Sequence, residues 1–297
     1  MAIAATVGWL LDAEHGSSVQ GGLEQQADRS VGCLQEAFSV NQETLFSIGS
    51  FFESSEAVSR LEFGTFVRRS FEREGVLLAF GWVPLIGGTE RAELVGRARA
   101  DGLQNYEVRE RDAQGGYVPA KRREVHAPIY YAEPMREYHD VLGVDLWTEP
   151  VRRRALERAR DEGRPVAAEP VRSVRNDQPE TRLIAYLPVY RKDSPRETME
   201  ERRQAIAGFA SAVFSFDRLL ERATRGLDSG IAVELFDLEK NPETAISAVG
   251  TALLTGADRR RTVTEEFELA GRRWGVGFTP TGAYYGAHPN VRTWLGV

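Results

Sequence analysis

Asp145 stands in the stretch LGVDLWTEPVRRRALERARDEG, Leu142 to Gly163, between Val144 and Leu146 and just before a run dense in arginine. A carboxylate among apolar neighbours loses hydration, and an unpaired buried charge is very costly. It needs donors: backbone amides, an arginine, or the N–H groups of a ligand. Thr148, Pro150 and Gly163 have the types and spacing of a helix cap, first turn and stop. Asp145 can therefore fasten the turn before that helix through its free amides. It can equally accept hydrogen bonds from a bound molecule. The residues leave both roles open.

The arginine run has a plainer reading. Val151, Ala155 and Ala159 make one apolar face, while Arg153 and Glu157, and Arg158 and Glu162, stand four apart. Nearly every arginine has an acid within reach, which describes a solvated helix face rather than a polyanion site. Arg152 and Arg153 are then expected to be replaceable by glutamine at less than about 1 kcal/mol, with ligand binding intact. Tyr130 and Tyr131 in APIYY and Tyr186 in IAYLPVY offer flat faces and hydroxyls on strands, although strand aromatics commonly serve a core.

Other chemistry finds little support. His126, His139, Asp140 and Asp145 lie close in sequence, yet their spacing matches no standard metal-ligand pattern. There is no P-loop, no nucleotide-binding glycine fingerprint, no HExxH and no serine elbow. No catalytic residue, metal or cofactor is expected.

The elements that must position these residues follow from periodicity. From Gly22 to Ser54, Leu34, Phe38, Leu45, Ile48 and Phe52 recur at spacings of three, four or seven, one face of a long helix. The stripe is longer than one small module covers, so it reads as a stalk that pairs two chains. Ser54 or Ser55 can cap a second helix carrying Leu61, Phe66 and Phe71. VLLAFGWVPLI reads as a buried strand and TERAELVGRARADG as a helix capped by Thr89. YEVRER, REVHAPIYYAEP, TRLIAYLPVY and AIAGFASAVFSF read as strands, with RDAQGGYVP a turn and a helix opening at Asp217. IAVELFDLE, AISAVGTALL, TVTEEFELAG and RWGVGFTPT then form a smaller, mostly β unit.

Composition sets the outer bounds. With 42 % hydrophobic and 28 % charged residues the chain reads as soluble and globular. Its 38 basic against 44 acidic residues leave a net charge of −6, which argues against a nucleic-acid partner. Cys33 is the only cysteine, so no internal disulfide forms. The apolar start, MAIAATVGWLL, is about half the roughly 20 residues that span a bilayer and is not preceded by basic residues. It is either the tail of a membrane helix or an appended segment. Arg292 and Trp294 are types that favour a membrane interface.

Taken in order, AFGWVPLIGGTERAELV, HAPIYYAEP, LGVDLWTEPVRRRALERARDEG, LPVYR and IAGFASAVFSFDRL resemble the CHASE domain family. Its members are sensory ectodomains of bacterial diguanylate cyclases and histidine kinases and of plant cytokinin receptors. The resemblance runs from Ser50 to Leu220. It implies an α/β (α+β) fold, a long N-terminal helix followed by two PAS-like modules with antiparallel sheets. The corresponding domains are 1–74, a helical stalk; 75–216, a membrane-distal ligand-binding module; and 217–297, a membrane-proximal module. It also implies a pocket in the distal module. Asp145 occupies the place of the aspartate that anchors the hormone's purine ring in the plant receptors. Ala167 would add a small apolar contact, and the central strand would bring Phe209 and Ala212 to the pocket beside Tyr130 and Tyr186. Arg175 and Asn176 stand near where the hormone receptors place a threonine, a departure that argues against cytokinin as ligand.

The function expected is an extracytoplasmic ligand-binding domain of a transmembrane receptor, a histidine kinase or diguanylate cyclase, sensing a small molecule. It would form a homodimer through the N-terminal helix and attach to the membrane through flanking helices. The alternative is a dimerising interaction module that senses a partner protein, and a third reading is an unrecognised hydrolase.

Overall fold

The computed structural model describes residues 2–72, 75–175, 178–251 and 262–287, with side chains from residue 21 onward except 72, 173–175 and 178. The expectations placed on Arg175, Asn176, Arg292 and Trp294 lie outside the described residues and side chains. The chain forms two compact units: Ser39–Ser215 with Ala270–Arg272, and Met1–Phe38 with Phe216–Leu269 and Arg273–Val297.

Helix α1, Ala2–Ser54, begins well before the stretch that periodicity marks out. No proline precedes Pro84, so nothing in this part of the chain interrupts the helical hydrogen-bond ladder. Leu34, Phe38, Leu45 and Ile48 are all buried within the single chain, and the Phe52 ring stacks on Trp82 at 4.0 Å. The stripe that suggested a second chain is already covered by this one.

In the larger unit, α2, Arg60–Val67, is capped by Ser59 rather than Ser54 or Ser55, because Ser59 and Glu62 form a reciprocal capping box. There follow β1, Leu77–Pro84; β2, Ile86–Gly87; and α3, Arg91–Ala100. Thr89 does not cap α3; the Glu90 carboxylate instead accepts from the Gly87 amide. Next come β3, Arg109–Arg111; β4, Tyr117–Pro119; β5, Val125–His126; β6, Tyr131–Glu133; and the single turn α4, Met135–Tyr138. The arginine-rich helix is α5, Pro150–Glu162, ended by Gly163 in the left-handed region, as its spacing implies. The unit closes with β7, Val166–Ala167; β8, Val171–Arg175; β9, Gln178–Tyr190; α6, Met199–Ala205; and β10, Ile206–Ser215.

These strands build one antiparallel sheet in the order β6-β1-β10-β9-β7, with β8 also paired to β9. Ser211 stands opposite Tyr186 and Gly81, and Val213 opposite Ile184. Paired residues share a face and successive residues alternate, so Gly81, Ile184, Tyr186, Phe209, Ser211 and Val213 line one side. Phe80, Ala185, Leu187 and Ala212 line the other. The second face is covered by α1, where a Cβ added at Gly49 would meet the Leu187 side chain at 2.8 Å. The first face carries α5 and the connections around it.

The smaller unit has α7, Phe216–Thr224; β11, Ile231–Asp237; β12, Asn241–Val249; β13, Val263–Leu269; β14, Arg272–Pro280; and α8, Gly282–Ala287. Its four-stranded sheet has the order β12-β11-β14-β13. Phe216, Leu219, Leu220 and Ala223 bury one face of α7, and Phe216 meets the fully buried Trp274 edge-on at 4.8 Å. Gln26 of α1 and Asp228 exchange two hydrogen bonds of 3.0 and 2.9 Å. A long N-terminal helix followed by sheet-and-helix units is a PAS-like arrangement. Among the described residues no helix is long and apolar enough to cross a membrane.

Candidate functional site

The turn that carries Asp145 is set by Gly143. Its φ of +80° lies in the region that favours glycine, and a Cβ there would sit 1.9 Å from the Glu107 carbonyl oxygen. Residues 143–146 then run against 127–129: Ile129 donates to Val144, Gly143 to Ile129 and Leu146 to Ala127. The Asp145 side chain is completely buried at this junction. One carboxylate oxygen accepts from the amides of Ala127 at 2.8 Å and Trp147 at 3.1 Å, and the other meets His126 Nδ1 at 2.6 Å. Its own amide donates to the Arg109 carbonyl, and its carbonyl accepts from the Thr148 hydroxyl. Thr148 thus braces the turn, while Glu149 occupies the N-cap of α5. His126 is equally buried, and its Nε2 has no partner.

α5 presents two kinds of arginine. Arg153 and Arg158 pair with Glu157 at 3.2 Å and Glu162 at 2.7 Å on the half-exposed side, as their spacing implies. Arg152 does not belong to that side. It stands three, four and seven residues before Ala155, Leu156 and Ala159, and these four are the buried residues of the helix. Its side chain is 9 % exposed. The expectation that Arg152 is a surface residue is corrected: Ala155 and Ala159 are buried as their spacing implies, but Arg152 and Leu156 share that face with them.

Between α5 and the first face of the sheet lies a cavity of about 160 Å³. Val83, Ile184, Tyr186, Ser211 and Val213 form its sheet wall. Arg111, Tyr117 and Ile129, then Val141, Val144 and Leu146, and finally Glu149 and Arg152 complete it. Gly81 leaves room for the Ser211 hydroxyl, which would lie 2.7 Å from any Cβ at that position. The Glu149 carboxylate is 3.4 Å from Arg111 Nε and 3.8 Å from Arg152 Nε, both beyond ordinary hydrogen-bond length. Arg111 is also held by the Tyr117 hydroxyl at 2.9 Å. Burial pushes the Tyr186 phenol upward, the Glu149 charge adds to this, and the neighbouring Arg152 opposes it. Arg152 Nη1 is buried without an acceptor; among the described residues only it and His126 Nε2 are buried side-chain polar atoms left so.

Of the six residues singled out from sequence, Tyr186 lines this cavity and the other five do not. Asp145 lies behind its wall, bonded to the chain itself. Phe209 is in the adjoining core with Leu156 and Tyr190. Ala212 points to the opposite face of the sheet, since it is three residues from Phe209 on one strand. Ala167 lines a separate cavity of about 210 Å³ with Arg154 and Arg158. Tyr130 packs against the rings of Tyr106 and Tyr131. Among the described residues no group of acids, histidines or cysteines is arranged to hold a metal ion.

Comparison with known proteins gives this arrangement a family. Residues 56–247 match the CHASE domain. The chain is 29 % identical over 133 residues to hybrid signal transduction histidine kinase A of Dictyostelium discoideum, covering 42 % of this chain and 6 % of that protein. It is similar in fold to an extracellular ligand binding receptor from Desulfohalobium retbaense, with a TM-score of 0.51 and 11 % identity over 86 % of this chain and 40 % of that one. The periplasmic sensory domain of a Campylobacter jejuni chemoreceptor aligns with a TM-score of 0.49 and 11 % identity, covering 90 % of this chain and 95 % of that one. The chain thus spans a small part of the kinase and less than half of the first of these receptors. With residues 56–247 matched, the chain belongs to the CHASE domain family and is an extracytoplasmic sensory domain.

Proposed function

We propose that this domain senses a small molecule for a transmembrane signalling receptor, with the ligand held in the cavity between α5 and the sheet of the larger unit. The observation that carries this reading is Arg152 in the cavity wall, whose guanidinium touches Tyr186 but whose buried Nη1 lacks an acceptor. A folded chain rarely leaves a charged donor so placed unless something else completes it. Tyr186 and Arg152 are the contact residues in this reading, and Asp145 holds the wall in shape. Residues 75–216 act as the membrane-distal ligand module, 217–297 as the membrane-proximal one and 1–74 as the leading helices. The kinase similarity supports a histidine kinase output, and helices flanking this segment provide the membrane attachment.

Thermal denaturation against a panel of metabolites tests the reading. A ligand at 100 times its dissociation constant stabilises the fold by about 2.7 kcal/mol. At least one compound should raise the melting temperature, and the Tyr186→Phe variant should respond less. Silence across the panel, with nothing small found by mass spectrometry in the purified protein, would sink it.

Two chains pair along α1 in this receptor. Because the Leu34-to-Ile48 stripe is already covered, pairing uses the outer face, where Val40 and Phe46 are 45 % and 41 % exposed. Val40→Glu combined with Phe46→Lys should weaken self-association in sedimentation equilibrium without lowering the melting temperature. A parent chain that stays monomeric at the highest concentration reached would remove this part of the proposal.

A further inference from the structure

The cavity's own chemistry restricts what it can hold. Its wall carries two guanidinium groups, Arg111 and Arg152, against one carboxylate, Glu149. Glu149 is shared between them as an ion pair at 3.4 and 3.8 Å from their Nε atoms, too long for ordinary hydrogen bonds, and Arg111 is itself half exposed while Arg152 is buried. The site therefore has one positive charge in excess and a buried Nη1 that lacks an acceptor. Leaving a buried cationic donor unpaired is costly, and a guanidinium is best completed by a carboxylate taken two-pronged. The rest of the wall is aliphatic, including Val83, Ile129, Leu146, Ile184 and Val213. The volume of about 160 Å³ is roughly half the smallest drug-sized pocket.

From this we infer that the cavity takes a short aliphatic carboxylate anion. Its carboxylate sits on Arg152, with the Tyr186 and Ser211 hydroxyls beside it, and its hydrocarbon body lies against the valine, leucine and isoleucine wall. The inference rests on the sensory reading above and narrows it to a ligand class. An inorganic anion offers the same charge but nothing for the aliphatic wall, and a neutral purine offers no charge to complete Arg152.

Isothermal titration calorimetry on the whole chain tests it, using propionate, isobutyrate and lactate, with isobutyramide as the uncharged isostere and inorganic phosphate as the apolar-free anion. At least one carboxylate should bind, at least tenfold more tightly than isobutyramide or phosphate. Arg152→Met should reduce that affinity at least thirtyfold, while Arg153→Gln, one position along on the exposed side, should leave it within twofold. If Arg152→Met fails to fold, Arg152→Lys replaces it: the charge stays, the two-pronged geometry goes, and affinity should drop about tenfold. Equal binding of amide and carboxylate, tighter binding of phosphate, or unchanged affinity in the Arg152 variants overturns the inference. So does silence of all three carboxylates. If another metabolite then binds in a Tyr186-dependent way, only this inference falls and the sensory reading stands.

Discussion

Replacing Asp145 with alanine is expected to destabilise the fold by about 3–5 kcal/mol, whatever ligand the domain binds. The carboxylate accepts from two backbone amides and from a buried imidazole, at 2.8, 3.1 and 2.6 Å. Alanine strands all three groups where water cannot reach them, and each unmet donor costs about 1–3 kcal/mol. For a chain of this size the melting temperature should fall by about 10 °C. Asp145→Asn should be milder, about 1–2 kcal/mol. Its amide oxygen still serves Ala127 and Trp147, but its NH₂ meets His126 Nδ1 and so drives the imidazole proton to Nε2, the atom without a partner. Differential scanning calorimetry of the three proteins should give the order parent, asparagine, alanine. An alanine variant that melts with the parent would mean the bonds at this junction contribute nothing.

The second large effect concerns α1. Read as a detachable stalk, the helix invites truncation of residues 1–50 to yield a free module. Its last turns instead belong to the core of the larger unit: Leu45 and Ile48 are 1 % and 0 % exposed. Ile48→Ala should cost about 2–5 kcal/mol through the cavity it leaves, and Leu45→Ala a similar amount. Truncation through residue 50 removes both at once and should abolish cooperative urea unfolding. A truncated chain with native circular dichroism and a sharp urea transition would restore the stalk picture.

The architecture was legible because it rests on period. The strands VLLAFGWVPLI, TRLIAYLPVY and AIAGFASAVFSF and the limits of α5 declare themselves through runs of apolar residues, Pro150 and Gly163. α6 was passed over although Thr198 and Glu201 spell a capping box in sequence and form one in the structure. The site was harder. The buried character of Arg152 was available from its spacing to Ala155, Leu156 and Ala159, but an arginine among arginines is naturally assigned to the wet side. Nothing local joins Asp145 to His126 and Ala127, because the pairing depends on how the intervening residues fold back. Phe209 and Ala212 came from family resemblance, and strand alternation alone forbids both from facing one cavity.

The Asp145 junction has a consequence for how the chain can vary. A single cysteine excludes an internal disulfide, and the stretch from Ala127 to Asp145 is instead closed at its ends by hydrogen bonds, without dependence on redox conditions. Once the ends of a loop are pinned, doubling its length costs only about 0.6 kcal/mol. That stretch supplies Ile129, Val141 and Val144 to the cavity wall. With β6 fixed in the sheet, length can change only at the exposed positions 139 and 140, next to Val141 of the wall, so insertions there would resize the chamber with its anchor intact.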